Sequence, residues 1–128
     1  MKDAVFPGQP LDQLKFHAET TAPGVGQRFV LLSEATSGEA GVFVTTRHFQ
    51  DAGEAPDAAA EPHTHDALQL FLVLGQPGAL RVRATVGETE TEIASPASIC
   101  ALPGVPHQVT VLGGTGALVS VLFDTDYA

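Results

Sequence analysis

The chain has 128 residues, enough to bury one hydrophobic core and no more. With 15 acidic residues against 6 Lys and Arg, its net charge is −9, which makes nucleic acid and anionic membrane surfaces poor partners. A single cysteine, Cys100, excludes an internal disulfide, and its default role is a small apolar residue in a strand. Residues 1–27 are punctuated by Pro and Gly and read as an N-terminal arm, with a strand or helical turn near Leu11 to His17. Arg28 to Glu34 and Gly41 to Phe49 are predicted strands, separated by a turn over residues 35–40. Gln50 to Glu61 is an Ala-, Asp- and Pro-rich loop whose acidity suits a solvated surface.

Asp66 to Val73 is a predicted strand, apolar on both faces and therefore covered on both. Leu80, Val82, Ala84 and Val86 alternate with Arg81, Arg83 and Thr85, the pattern of a half-buried strand. Gly87 turns the chain, and Glu88, Glu90 and Glu92 then alternate with Thr89, Thr91 and Ile93. Two Arg facing three Glu predict cross-strand ion pairs, a simpler role for Arg81 and Arg83 than a substrate-carboxylate clamp. Ala97 to Leu102, Gln108 to Leu112 and Ala117 to Asp124 supply the remaining strands. About eight short strands with no convincing long helix imply an all-β barrel over residues 28–128. No apolar stretch approaches a membrane span and Met1-Lys2-Asp3 begins no signal peptide, so a cytoplasmic protein is expected.

Three of the 5 histidines fall in two Pro-flanked segments, Glu61-Pro62-His63-Thr64-His65-Asp66-Ala67-Leu68-Gln69 and Pro103-Gly104-Val105-Pro106-His107. On an extended chain His63, His65 and Gln69 share one face, because alternate side chains point the same way. His63 and His65 stand one pleat apart, close enough to chelate one ion, while His107 needs a closed fold to reach them. Pro-His-Thr-His alone would pass as a polar loop. Its pairing with a second Pro-flanked His, each ahead of an apolar strand, favours a metal site. Three imidazole nitrogens and one amide oxygen suit a divalent first-row ion, with Fe, Mn, Ni and Zn all compatible.

These two segments resemble the paired signatures of the cupins. His63-x-His65, then Gln69, then Gly75 resembles the first signature, and Gly104-x-x-His107 with Pro103 resembles the second. The resemblance covers roughly residues 40–124 and implies a double-stranded β-helix, or jelly-roll barrel, with His63, His65, Gln69 and His107 as metal ligands. It also implies a homodimer, for which the doubly apolar strand is a second reason. The N-terminal arm is the alternative cover for that outer face. Gln69 stands where most cupins carry Glu, and Gly75 falls one residue early. An amide in place of a carboxylate leaves more positive charge on the ion, which strengthens a Lewis acid and supports a high oxidation state less well. Three-His-one-Gln sets also resemble those of cupins such as the uronate-linearising one.

Phe71, Val73, Val109 and Val111 share parity with the nearby ligands and would wall an apolar pocket, with packing as their default role. Of Arg47 and His48, one points inward: Arg47 is a candidate pocket residue and His48 a candidate acid or base, although a surface histidine is the simpler reading. His17 and Tyr127 receive no role. The chain therefore reads as a metal-dependent cupin enzyme acting on a small oxygen-rich organic molecule, with the ion as Lewis acid for isomerisation, lyase or cyclisation chemistry. The alternatives are a dioxygenase using a redox metal and O2, and a non-catalytic metal- or small-molecule-binding barrel.

Overall fold

The computed structural model describes residues 5–11, 22–34, 41–54 and 66–124. Eight strands appear among these residues: β1 (Gln9–Pro10), β2 (Val25–Leu32), β3 (Phe43–Ala52), β4 (Gln69–Leu74), β5 (Leu80–Val86), β6 (Thr89–Ala94), β7 (Ala97–Ala101) and β8 (His107–Leu122). All pair antiparallel, in the order β1-β2-β3-β8-β4-β7, with β5 on the other half of β8 and β6 beyond it. This is the all-β, jelly-roll arrangement expected from the sequence.

β8 holds the two halves together. Its first half, His107 to Gly114, pairs with β5. Its second half, Gly114 to Leu122, lies between β3 and β4. The sequence predicts two strands here with a break at Gly113-Gly114-Thr115-Gly116, whereas the chain runs through as one strand of 16 residues. Glycine explains the continuity. Gly114 has φ of 110°, and a Cβ there would run into the carbonyl oxygen of Ala79. The strand therefore passes from β5 to β3 and β4 as one element, with register shifts opposite Arg81/Val82 and Phe49/Ala52.

β2 starts at Val25, three residues before the predicted strand at Arg28, and β1 joins its edge. The strand predicted from Asp66 begins at Gln69, and the one predicted to end at Phe49 continues to Ala52. On the polar face of β5, Arg83 Nε lies 3.2 Å from Glu90 on β6 and its guanidinium 3.8 Å from Glu54. The expected cross-strand pairing is thus present at Arg83 with Glu90.

Among the described residues, two apolar clusters fill the interior. The larger comprises Phe49, Ala52, Phe71, Val73, Leu80, Val82, Ala84, Ile99, Val109 and Val111. The smaller joins Val30, Phe43 and Leu122. Burial of this kind contributes roughly 25 cal/mol per Å² of apolar surface. What positions the site is the set of inward-facing residues that belong to neither cluster.

Candidate metal centre

Strand register identifies those residues. Directly opposed residues on neighbouring strands share a face. One inward row reads Phe43, Leu122, Gln69, Ala101, and the next reads Val30, Thr45, Ser120, Phe71, Ile99. A third reads Arg28, Arg47, Leu118, Val73, Ala97. Gln69, Thr45, Ser120, Arg47 and Arg28 therefore form a polar track on the inner face of one sheet. From the first half of β8, His107, paired with Val86, meets this track at Gln69.

His107 and Gln69 meet. Both are buried, at 3% and 2% exposure, and His107 Nε2 lies 2.8 Å from Gln69 Oε1. Local sequence places the histidine. Leu102 to Val105 form a turn closed by Val105 N–H donating to Leu102 O at 3.1 Å. Pro103 sets its first corner, and Gly104, at φ of 79°, supplies the left-handed second corner of a type II turn. The chain then enters β8 with His107 as its first residue. The ring stands edge-on to Phe71, with centroids 6.0 Å apart at 62°.

Both side chains are fixed at their far ends. His107 Nδ1 lies 3.0 Å from the Val105 carbonyl oxygen, which only accepts, so Nδ1 carries the hydrogen. Gln69 Nε2 donates to Ser120 Oγ at 2.8 Å, and the amide oxygen lies toward the histidine. A neutral imidazole with its hydrogen on Nδ1 presents a lone pair at Nε2. With the amide oxygen turned inward, two lone pairs face one another at hydrogen-bond distance and would share a proton or a cation.

This donor set fits a divalent metal. Ligand atoms about 2.1 Å from an ion, at about a right angle, lie about 3 Å apart, close to the 2.8 Å seen here. A metal-binding histidine ordinarily donates its other N–H to a carbonyl or carboxylate, as His107 does to Val105. The other two expected ligands, His63 and His65, lie outside the described residues, so the structure brings together the second pair of the predicted four.

Phe71, Val73 and Val109 are buried, at 7%, 0% and 5% exposure, and Val111 is fully buried beside them. Arg47 is the inward member of the Arg47-His48 pair: it is 5% exposed and its Nε donates to Gly26 O at 2.6 Å. His48 lies on the opposite face of β3, exposed to solvent. It lines an open groove of about 750 Å³ with Gly26, Gln50, Leu74, Gly116 and Ala117. The candidate acid–base role for His48 inside the barrel is therefore withdrawn, because strand alternation sends the side chain out when Arg47 goes in. Cys100 is likewise exposed, on β7. His17 and Tyr127 lie outside the described residues.

Sequence reasoning passed over Arg28, Thr45 and Ser120. Arg28 is 5% exposed and directly opposite Arg47, and Thr45 is 6% exposed. The signal available was a polar residue at inward parity in a strand otherwise apolar on that face, as Ser120 is between Leu118 and Leu122.

The sequence matches no protein-family model and no curated protein. Solved structures do resemble it. KdgF from Halomonas sp. superimposes with a TM-score of 0.58 at 14% identity, over 81% of this chain and 82% of that one. An RmlC-like cupin from Shewanella frigidimarina gives 0.56 at 17% identity, over 84% and 83%. This chain has the cupin fold. A variant of Bacillus subtilis oxalate decarboxylase gives 0.61 at 12% identity and covers 100% of this chain, which spans only 32% of that protein. At these identities the likeness carries the cupin fold and leaves substrate and reaction to the site itself. Among the described residues no helix is long and apolar enough to cross a membrane.

Proposed function

We propose that this cupin is a metal-dependent enzyme acting on a small oxygen-rich organic molecule by isomerase, lyase or cyclase chemistry. The observation that carries the reading is the convergence of His107 Nε2 and Gln69 Oε1 at 2.8 Å, each locked from behind. His63, His65, Gln69 and His107 would hold one divalent ion, Fe, Mn, Ni or Zn. When bound, the ion supplies Lewis acidity toward a substrate carbonyl, enol or hydroxyl oxygen.

The chain's own groups do the rest. Phe71, Val73 and Val109 give the centre an apolar wall that excludes water and strengthens every charge interaction within it. Arg28 and Arg47 lie directly opposed on the same face, two inward rows from Gln69. One structural neighbour is named for oxalate, a dicarboxylate. Gln69 adds no negative charge to the ligand set, which favours Lewis-acid over high-valent chemistry. A homodimer that covers the outer Leu70 and Leu72 face belongs to the same proposal, as does a cytoplasmic location.

The test is turnover. Metal-loaded protein is incubated with a panel of small hydroxy, keto and unsaturated acids, with and without oxygen, and products are read by mass spectrometry and NMR. Oxygen-independent, metal-dependent conversion to a product of unchanged mass or one formed by elimination is the expected result. Activity that requires O2 would replace the reading with the dioxygenase one. A protein that holds metal and ligand yet converts nothing would leave a binding barrel.

A further inference from the structure

We propose that a second copy of this chain docks on the outer face of the β3-β8-β4-β7 sheet about a two-fold axis lying across the strands, so that Phe123 of each copy enters the His48 groove of the other. The inference rests on the homodimer reading above and does not involve the metal centre. Outward residues run from Val44 to His48 on β3, Ala117 to Phe123 on β8, Leu68 to Leu74 on β4 and Ser98 to Leu102 on β7, and none of them is Asp, Glu, Lys or Arg. Leu74, Leu102 and Phe123 are three of the five large hydrophobic residues exposed among the described ones. The outer face of β5 and β6 differs, since it carries Arg81, Arg83, Glu90 and Glu92.

That contrast selects the partner. In a chain of net charge −9, the uncharged face is where a second copy meets no like charge, and depletion of charge marks the core of an interface. Size agrees. Five strands, β2 included through Phe29 opposite Thr46, spaced about 4.8 Å apart and about 20 Å long give a footprint of about 500 Å². Two such faces reach the roughly 1,000 Å² expected of a specific interface. The described part of the N-terminal arm does not compete for this face, because β1 lies along the edge of β2 and Leu11 packs on the inner cluster of Val30, Phe43 and Leu122.

Shape selects the axis. At one end of the face Ala117 stands between His48 and Leu74, a small residue between two large ones, on the floor of the groove of about 750 Å³. Glycine keeps the space beside His48 clear, since a Cβ at Gly26 would come within 2.9 Å of the His48 carbonyl oxygen. At the other end Phe123, whose N–H donates to Leu68 O at 3.0 Å, and Leu102 protrude. Sheets packed face to face interdigitate their side chains. An axis across the strands at the level of Ser120 lays each β8 over its copy and turns one end onto the other, so residue 123 falls on residue 117. Protrusion then meets hollow. An axis along the strands would set protrusion against protrusion.

Sedimentation equilibrium on the whole protein gives the dimer Kd, and circular dichroism checks the fold of each variant. Phe123→Ala should raise Kd at least about tenfold, the scale of an aromatic anchor, and Ala117→Phe, which fills the hollow, should do the same. Leu72→Asp, at the middle of the face, should abolish the dimer. In a Cys100→Ser background, Ala117→Cys with Phe123→Cys should give a disulfide-linked dimer on mild oxidation, because the two positions are about 20 Å apart within one chain. Phe123→Cys alone should give none. A dimer lost in Leu72→Asp but unchanged by Phe123→Ala, or linked through Phe123→Cys alone, would overturn the proposal and leave the homodimer standing. A parent protein that stays monomeric at all concentrations would remove the homodimer reading and this inference with it.

Discussion

Two buried polar clusters in this barrel look alike in composition and differ in what they leave over. Ser95, 3% exposed, accepts from Leu80 N–H at 3.0 Å and donates to Gln76 O at 2.7 Å. Its backbone N–H donates to Leu80 O, and its carbonyl accepts from Gly78 N–H, both at 2.8 Å. Every donor there meets an acceptor, so the cluster ties the β4–β5 turn to β5 and is complete. At the other cluster, His107 and Gln69 are equally buried and equally well anchored from behind, and their inner ends meet at 2.8 Å, where the proposed ion would be held. A complete network is structure. A network whose anchored groups converge on one point is what the proposed metal site requires.

His107→Ala sharpens the contrast most. It should lower affinity for divalent metal more than about 100-fold, beyond what orienting residues give, while the fold persists; calorimetric titration and circular dichroism check the two halves of that statement. Ser95→Ala should do the reverse. It should reduce stability by about 1–3 kcal/mol, since it strands the buried Leu80 N–H, and leave metal affinity unchanged; a urea melt and the same titration decide it. If Ser95→Ala weakened metal binding as much as His107→Ala, the distinction between the clusters would fail. Gln69→Glu supplies a carboxylate and should hold or raise metal affinity by up to about tenfold, while slowing a Lewis-acid reaction in steady-state assays. Smallest of all is Arg83→Ala, which removes the half-exposed pair with Glu90 and should change stability by less than about 1 kcal/mol in the same urea melt.

The same comparison shows what was legible in the sequence. Period-two alternation from Leu80 to Val86 located β5 to the residue, and the Pro103-Gly104 turn with His107 announced where β8 begins. His107 and Gln69, 38 residues apart, were expected together and are together. Alternation also stated that either Arg47 or His48 points inward, but not which. That choice depends on the register of β3 against β8, set by contacts 71 residues apart such as Arg47 with Leu118. The continuity of β8 was hidden because four residues with three glycines read as a break, whereas close packing of Gly114 against Ala79 makes them a bend. Ser120 and Ser95 were both missed, since a serine carries its role in its partner and not in its spacing. The Ser120 partner is 51 residues away.

The central claim is that His107 and Gln69 are half of a metal site, and elemental analysis of freshly purified protein beside His107→Ala tests it most directly. Near-stoichiometric Fe, Mn, Ni or Zn that disappears in the variant is the predicted result. No metal in the parent protein, and none taken up on reconstitution with each ion, would contradict it.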